Sequence, residues 1–302
     1  MTTDVNAHLA FATDSAPACP GPDAKPRGAT RFTVPTGAVD THAHVVGLPP
    51  ETTLAADRRY TAPVATEAQY LHMLDATGMA HGVLVQISIH GTDNSLMLKT
   101  LRAHPKRLKG VAVVEPTVTE AECRTLAESG IVGLRINTLF GGGSSLADTE
   151  RYGAICREMG WHLQLFLNAA VLAEHGAVLA SLGVPLIFDH MGLRPAKGGV
   201  QDAGFQNLLA MVRDGAWVKL SGAYRVTSAG FPYTDTIPIA RALAEAAPDR
   251  CVWGSDWPNV STWEHMPNVG ELLDLLADWV PDETTRNRIL TDNPARFYGF
   301  GK

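Results

Sequence analysis

The sequence predicts a (β/α)8 barrel with an N-terminal extension, and three observations support this fold class. From about residue 37, eight short apolar runs alternate with eight stretches that have helical character. The runs are apolar on both faces, which is typical of a parallel sheet covered by helices. A doubly wound sheet is the alternative, but it favours a Gly-rich phosphate turn after the first strand. The segment there, THAHVVGLPP (41–50), is not such a turn.

The predicted elements occupy short windows along the chain. Strands are expected at 38–44, 82–88, 110–116, 132–138, 161–168, 184–190, 217–222 and 251–257. Helices are expected at 66–78, 93–104, 119–129, 147–159, 171–182, 202–214, 235–247 and 269–280, and a terminal helix with aromatic residues at 285–300. We therefore predict an extended or disordered tail over 1–36 and a single barrel over 37–302.

Composition excludes several classes of protein. The 302 residues carry a net charge of −6, and a nucleic-acid-binding protein would usually be basic. No apolar run approaches the ~20 residues of a membrane span. The four cysteines are scattered without a CxxC pair, and the N-terminus lacks the basic and apolar regions of a signal peptide. We expect a cytoplasmic protein with a small-molecule substrate; a homo-oligomer is compatible with the sequence.

The first candidate site residues end strand one, as His42-Ala43-His44. Residues two apart on a strand point to the same side, so both imidazoles can enter the barrel mouth. The carboxyl ends of the strands are where barrels of this class carry their active sites. The alternative is a pair of ordinary polar residues at a strand end.

Strands six and eight end in further candidates. His190 follows Asp189 at the end of an apolar run, and Asp189 could pair with a neighbour or orient an imidazole. Asp256 lies between Trp253 and Trp257, so we expect partial burial to raise its pKa towards that of a general base. The alternatives are a structural histidine and a turn aspartate.

Arginine side chains suggest an anion-binding site, because their guanidinium groups bind carboxylates through two hydrogen bonds. Arg135 lies inside the apolar strand four, Arg225 follows strand seven, and Arg194 follows strand six. The alternatives are a buried ion pair for Arg135 and a solvated loop for Arg225.

These motifs resemble the amidohydrolase superfamily, and within it the small-lactone hydrolases typified by 2-pyrone-4,6-dicarboxylate lactonase. The resemblance rests on HAH (42–44), DHMG (189–192), WGSDWP (253–258), QISIHGTDN (86–94), Arg135 and DNPAR (292–296). It covers about residues 38 to 298, and the strand-eight motif is its most specific part.

The resemblance implies a hydrolase that opens a small carboxylated lactone, in aromatic or sugar-acid catabolism. By this resemblance Asp256 would activate water, and His42, His44 and His190 would polarise the lactone carbonyl. The implied substrate-binding residues are Arg135, Arg225, Arg194, Gln86, Ser88 and Tyr224. A zinc-dependent decarboxylase of the same superfamily is the alternative.

The metal dependence of the reaction is the main open choice. His42, His44, His190 and Asp256 could bind Zn²⁺ and leave a position for water. Metal-dependent members often add a lysine on strand four or a histidine on strand five, and neither stands at those strand ends here. His162 is at the start of strand five, at the opposite end of the barrel. We favour a reaction without a metal and retain zinc as the alternative.

The loop after strand four departs from the lactonase pattern. Another basic residue is expected there, whereas this chain has LFGGGSS (139–145), which carries no charge. The loop therefore predicts a lactone with fewer anionic groups than the pyrone dicarboxylate, or a larger lactone.

Overall fold

A computed structural model of the protein describes residues 16–140, 144–167 and 169–301. Within these residues, eight strands form one parallel sheet whose order follows the chain. The strands are β1 Val39–Ala43, β2 His81–Val85, β3 Leu108–Ala112, β4 Ile131–Asn137, β5 His162–Phe166, β6 Leu186–Phe188, β7 Trp217–Leu220 and β8 Cys251–Trp253.

The sheet closes between β1 and the segment that follows β8. The Asp256 N–H donates to the carbonyl of His42 at 2.8 Å, and the His44 N–H donates to the carbonyl of Trp257 at 2.8 Å. These bonds make the sheet a nearly closed barrel, and the predicted (β/α)8 fold is confirmed. β6 and β8 are shorter than predicted and end at Phe188 and Trp253. The strands cannot continue to the predicted ends, because His190 and Asp256 have left-handed φ values of 47° and 58°.

Helices connect the strands on the outside of the barrel. They are α1 Glu67–Thr77, α2 Ser95–Ala103, α3 Glu120–Glu128, α4 Thr149–Met159, α5 Ala169–Ser181, α6 Ala203–Arg213, α7 Ala223–Val226, α8 Ile237–Ala246, α9 Val269–Asp274, α10 Leu276–Trp279, α11 Glu283–Leu290 and α12 Asp292–Tyr298. Thr66 and Thr119 form capping boxes that begin α1 and α3, and Gly78 and Gly160 end α1 and α4 in the left-handed conformation.

Two predicted helices are divided, and one short helix was not predicted. The stretch 269–280 forms α9 and α10, and the stretch 285–300 forms α11 and α12, which meet at the non-helical Thr291. Pro294 lies in the first turn of α12. Proline is tolerated there because backbone N–H groups of the first turn have no carbonyl partner within the helix. The unpredicted helix α7 lies in the loop after β7.

Aromatic residues of the chain terminus close the amino end of the barrel. The rings of Phe297 and Tyr298 lie 4.7 and 5.3 Å from His162, and Phe297 lies 4.4 Å from Trp217. Phe300 stacks on His81 at 4.7 Å. The three residues they contact are the first residues of β5, β7 and β2. Within the described residues this end is therefore covered by side chains, and we expect a substrate site at the carboxyl ends of the strands.

The described part of the N-terminal segment lies against the barrel. The Cys19 N–H donates to the carbonyl of Thr61 at 3.0 Å, and the Thr30 and Arg31 N–H groups donate to Asp274 at 2.7 and 3.0 Å. Residues 1–15 lie outside the described residues, so a disordered tail there stays a prediction. None of the helices in the described ranges is both long and apolar enough to cross a membrane.

The burial of His162 should make stability depend on pH. Burial lowers the pKa of His162 to about 3, against about 6.5 in an unfolded chain. The unfolded chain therefore binds a proton below pH 6.5 that the folded protein does not, and stability falls as the pH falls. His162→Phe keeps a ring in place and removes this titration. Urea unfolding at pH 7 and 5 should show the variant losing about 2 kcal/mol less than the wild type.

The exposed His72→Phe variant is the matched control and should keep the wild-type difference between the two pH values. An equal loss in the wild type and in His162→Phe would show that His162 is protonated in the folded barrel at pH 5.

Candidate active site

A pocket of about 240 Å³, including its open mouth, lies at the carboxyl ends of the strands. Six residues predicted from the sequence line it: His44, Ser88, Arg135, His190, Arg225 and Asp256. The other lining residues are Tyr60, Ile87, Phe140, Phe166 and Val260. The bottom of the pocket is thus charged, and its walls are largely aromatic.

The four predicted catalytic residues form one cluster at the bottom of this pocket, which three of them line, and His42 lies next to them outside the lining. His42 Nε2 and His44 Nε2 lie 3.8 and 3.6 Å from Asp256 Oδ1, and His190 Nε2 lies 3.6 Å from Asp256 Oδ2. All four side chains are buried. Residues from β1 and from the segments after β6 and β8 therefore form one cluster, as the strand-end positions predict.

Two glycines permit this close approach. A Cβ on Gly254 would lie 2.7 Å from the Cβ of His42, and a Cβ on Gly222 would lie 2.8 Å from the ring of His190. Gly222 also has a φ of +62°, in the region that glycine adopts without strain. The cluster therefore depends on glycine at both positions.

Asp256 is a buried carboxylate with one satisfied oxygen. Its Oδ2 accepts hydrogen bonds from the Tyr224 hydroxyl at 2.6 Å and from Arg225 Nε at 2.5 Å. Its Oδ1 has no hydrogen-bond partner in the described part of the chain. Burial raises the pKa of Asp256, but Arg225 and His190 outweigh it and hold that pKa well below its usual range. The predicted rise in basicity is wrong, because the sequence does not show that Arg225 contacts Asp256.

Asp189 is a second buried carboxylate, and it lies behind His42. Its Oδ2 accepts hydrogen bonds from Arg135 Nε at 3.1 Å and Gln164 Nε2 at 3.0 Å. Its Oδ1 lies 3.1 Å from His42 Nδ1 and 3.3 Å from Lys219 Nζ. Burial raises the pKa of Asp189, but Lys219, His42 and Arg135 together hold it well below its usual range. Of the Asp189-His190 pair, His190 lines the pocket.

Lys219 is a member of the cluster that the sequence reasoning missed. It lies within β7 and is fully buried, and burial lowers its pKa to about 8. A lysine inside the apolar run WVKL is the same signal that identified Arg135 in strand four. Tyr60, Phe140 and Val260 were missed because they lie on loops, where strand-end reasoning does not apply.

His44 and His190 are neutral imidazoles, and the position of the hydrogen follows from the contacts of His44. His44 Nδ1 lies 2.7 Å from the carbonyl oxygen of Val85, which only accepts, so Nδ1 carries a hydrogen. Burial lowers the pKa of His44, so its Nε2 presents a lone pair to the pocket. Burial also lowers the pKa of His190 to about 4, and its Nδ1 lies 2.9 Å from the Ser221 hydroxyl.

The predicted substrate-binding residues separate into two groups. Arg135, Arg225 and Ser88 line the pocket, although each arginine is also paired with a buried carboxylate. Gln86 and Arg194 are buried and Tyr224 is half-buried, and all three are outside its lining.

The three residues outside the lining have partners within the protein. Gln86 donates to the carbonyls of Gly91 and Asp93, at 3.0 and 2.8 Å, and so holds the loop after β2. Arg194 Nε donates to the Gly192 carbonyl at 2.9 Å. Tyr224 contacts Asp256 directly. Gly141–Gly143, which led to the prediction about substrate charge, lie outside the described residues.

Comparisons with known proteins agree with this geometry. A family model described as Amidohydrolase matches residues 39–300. The chain belongs to the amidohydrolase family. This confirms the resemblance inferred from the strand-end motifs.

Three relatives of this amidohydrolase are similar over nearly its whole length. The 4-sulfomuconolactone hydrolase of Rhizobium radiobacter is 36% identical and covers 94% of this chain and 96% of its own. The 2-pyrone-4,6-dicarboxylate hydrolase of Comamonas testosteroni is 33% identical and covers 89% and 92%. A crystal structure of a probable 2-pyrone-4,6-dicarboxylic acid hydrolase from Acinetobacter baumannii, with citric acid bound, is 29% identical. It has a TM-score of 0.78 and covers 87% of this chain and 100% of its own.

The cluster of this amidohydrolase also contains ligand atoms that could hold a metal ion. One group comprises His42, Asp189 and His190, and another comprises His42, His44 and Asp256, with ligand atoms within 4.8 Å of one another. His42 Nε2 and Asp256 Oδ1 are buried without hydrogen-bond partners among the described residues. Nitrogen and carboxylate donors of this kind fit zinc.

Asp40 anchors the segment that carries Asp256, and its loss should destabilise the amidohydrolase. It is fully buried and accepts hydrogen bonds from the Ser255 N–H at 2.8 Å, the Ser255 hydroxyl at 2.7 Å and the Tyr70 hydroxyl at 3.2 Å. Asp40→Ala leaves these donors unpaired. Urea unfolding should show a loss on the order of 2–4 kcal/mol.

The exposed Asp214→Ala is the matched control and should change stability by less than about 0.5 kcal/mol. If Asp40→Ala were as stable as this control, the Asp40 bonds would not hold the barrel closed.

Proposed function

We propose that this amidohydrolase hydrolyses a small lactone that carries an anionic group. One observation carries the proposal: Asp256 Oδ1, without a hydrogen-bond partner among the described residues, lies within 3.8 Å of His42 Nε2 and 3.6 Å of His44 Nε2. The two named relatives are lactone hydrolases, which supports the same reaction class here. Their names do not favour the alternative of a decarboxylase.

In the proposed reaction, a water molecule between Asp256 Oδ1 and His44 Nε2 attacks the lactone carbonyl carbon. Both atoms accept hydrogen bonds, so they can orient the water and receive its proton. The low pKa of Asp256 makes the carboxylate a weak base. Once protonated, however, it is a strong acid, and it can return the proton to the ring oxygen as the C–O bond breaks.

The carbonyl oxygen needs hydrogen-bond donors as negative charge develops on it. His44 cannot donate from Nε2 while its Nδ1 hydrogen is bound to Val85. We therefore assign this role to His42 and His190, which changes the earlier assignment of all three histidines to the carbonyl.

The charge of the site supports an anionic substrate. Two of the residues that line the pocket, Arg135 and Arg225, are cations, and they pair with the buried carboxylates Asp189 and Asp256. A carboxylate or sulfonate on the lactone would be a further partner for these guanidinium groups, and the aromatic walls would pack on the ring. We propose one such anionic group on the substrate, and a role in aromatic or sugar-acid catabolism.

We further propose that the protein acts in the cytoplasm. All four cysteines, Cys19, Cys123, Cys156 and Cys251, are unpaired and buried, as a reducing compartment permits.

We also propose that hydrolysis proceeds without a metal. A zinc ion held by His42, His44, His190 and Asp256 would supply Lewis-acid activation of water. It would, however, place two more positive charges beside Arg225, which pairs with Asp256, and near Arg135 and Lys219, which pair with Asp189. Repulsion from these cations disfavours a divalent metal ion there.

The first test replaces the proposed base. Asp256→Asn is nearly isosteric, and asparagine tolerates the left-handed φ of 58° at this position. We expect turnover to fall on the order of 10²–10⁴-fold because the proton acceptor is lost. Acid release is measured on a panel that contains 4-sulfomuconolactone, 2-pyrone-4,6-dicarboxylate and an uncharged lactone. The exposed Asp214→Asn serves as the control. Turnover above about a tenth of the wild-type value would make Asp256 structural rather than catalytic.

The second test concerns the metal. Exhaustive chelation and dialysis should leave lactone hydrolysis intact, and elemental analysis should find the protein free of zinc. Activity that disappears with the chelator and returns with Zn²⁺ would instead make His42, His44, His190 and Asp256 ligands.

A further inference from the structure

The ammonium group of Lys219 lies behind His42, outside the lining of the pocket. Its Nζ donates to the carbonyl of Thr41 at 2.9 Å and to Gln164 Oε1 at 2.8 Å, and it lies 3.1 Å from His42 Nδ1. An ammonium has three hydrogens and no lone pair. A fourth acceptor, Asp189 Oδ1, lies farther from Nζ, at 3.3 Å. The three shorter contacts therefore match the three hydrogens best, and in the third His42 Nδ1 is the acceptor.

A second group competes for the same nitrogen. Asp189 Oδ1 also lies 3.1 Å from His42 Nδ1, but a carboxylate only accepts and would require a hydrogen on Nδ1. Lys219 and Asp189 thus favour opposite tautomers of His42. The Lys219 contact has hydrogen-bond geometry, whereas Asp189 Oδ1 has no hydrogen-bond partner among the described residues. The geometry therefore favours the tautomer with the hydrogen on Nε2.

The tautomer decides what His42 offers to a substrate. With the hydrogen on Nε2, His42 has a donor 3.8 Å from Asp256 Oδ1, which lines the pocket together with a second acceptor, His44 Nε2. One donor and two acceptors match a carbonyl oxygen and an attacking water. With the hydrogen on Nδ1, His42 would present a lone pair, which repels the carbonyl oxygen and suits a metal ion instead.

We propose that Lys219 is a positioning residue that holds His42 in its Nε2–H tautomer, so that His42 donates a hydrogen bond to the carbonyl oxygen of the lactone. This role rests on the proposed lactone hydrolysis. It assigns a function to a buried lysine that contacts neither the pocket nor Asp256.

The test compares Lys219→Met with Lys109→Met, which changes another strand lysine, on β3 and outside the cluster. Methionine keeps the length of the side chain and cannot donate. The first readout is the ¹⁵N spectrum of histidine-labelled protein, with the His42 signals assigned by their loss in His42→Asn. We expect the Nε2–H tautomer in the wild type and in Lys109→Met, and the Nδ1–H tautomer in Lys219→Met.

The second readout is the kinetics on the best lactone of the panel. Loss of a donor to the carbonyl oxygen should lower kcat on the order of 10²–10³-fold in Lys219→Met. KM should change by less than about threefold, since ground-state contacts with the substrate remain.

A wild-type spectrum with the His42 hydrogen on Nδ1 overturns the proposal, and this outcome needs no variant to fold. An unchanged His42 tautomer in a folded Lys219→Met overturns it equally. If no lactone is hydrolysed, the spectra of the unliganded proteins still decide the tautomer, so failure of the proposed function is separate from failure of this inference.

Discussion

Two carboxylates buried at the carboxyl end of the barrel, Asp189 and Asp256, are the constraint on which the site depends. A buried charge is costly unless it is paired and hydrogen-bonded. Asp189 is paired with Arg135 and Lys219, and Asp256 with Arg225. These cations come from β4, β7 and the loop after β7, so charge balance ties distant strands together. His42 lies between the two carboxylates, and His44 and His190 lie beside Asp256.

The same interactions that close the barrel also position the proposed base. The Asp256 N–H bonds to the His42 carbonyl, so the backbone pair that joins β1 to the segment after β8 also sets the distance between the two side chains. Gly254 permits this approach, because a Cβ there would contact His42. Fold stability and site geometry are therefore not independent here. A change at the barrel seam would alter both.

In each imidazole, the hydrogen-bond partner of the nitrogen that faces away from the pocket decides whether the other nitrogen is a donor or an acceptor. Val85 fixes His44 as an acceptor towards the pocket, and the contacts of His42 with Lys219 and Asp189 decide whether it donates. Neutral histidines suit this division, because burial disfavours their charged forms. Whether the site suits a carbonyl oxygen or a metal ion thus depends on whether the hydrogen of His42 is on Nε2 or on Nδ1.

The sequence by itself determined the barrel and the set of residues at its mouth. Alternating apolar runs and helices define the strand order, and strand ends meet at one edge, so His42, His44, His190 and Asp256 could be grouped without coordinates. Only the tertiary structure decided their electrostatics. The pKa of Asp256 depends on Arg225, which reaches it from another loop. Pairing across the barrel is a matter of distance between side chains, and spacing along the chain does not encode that distance.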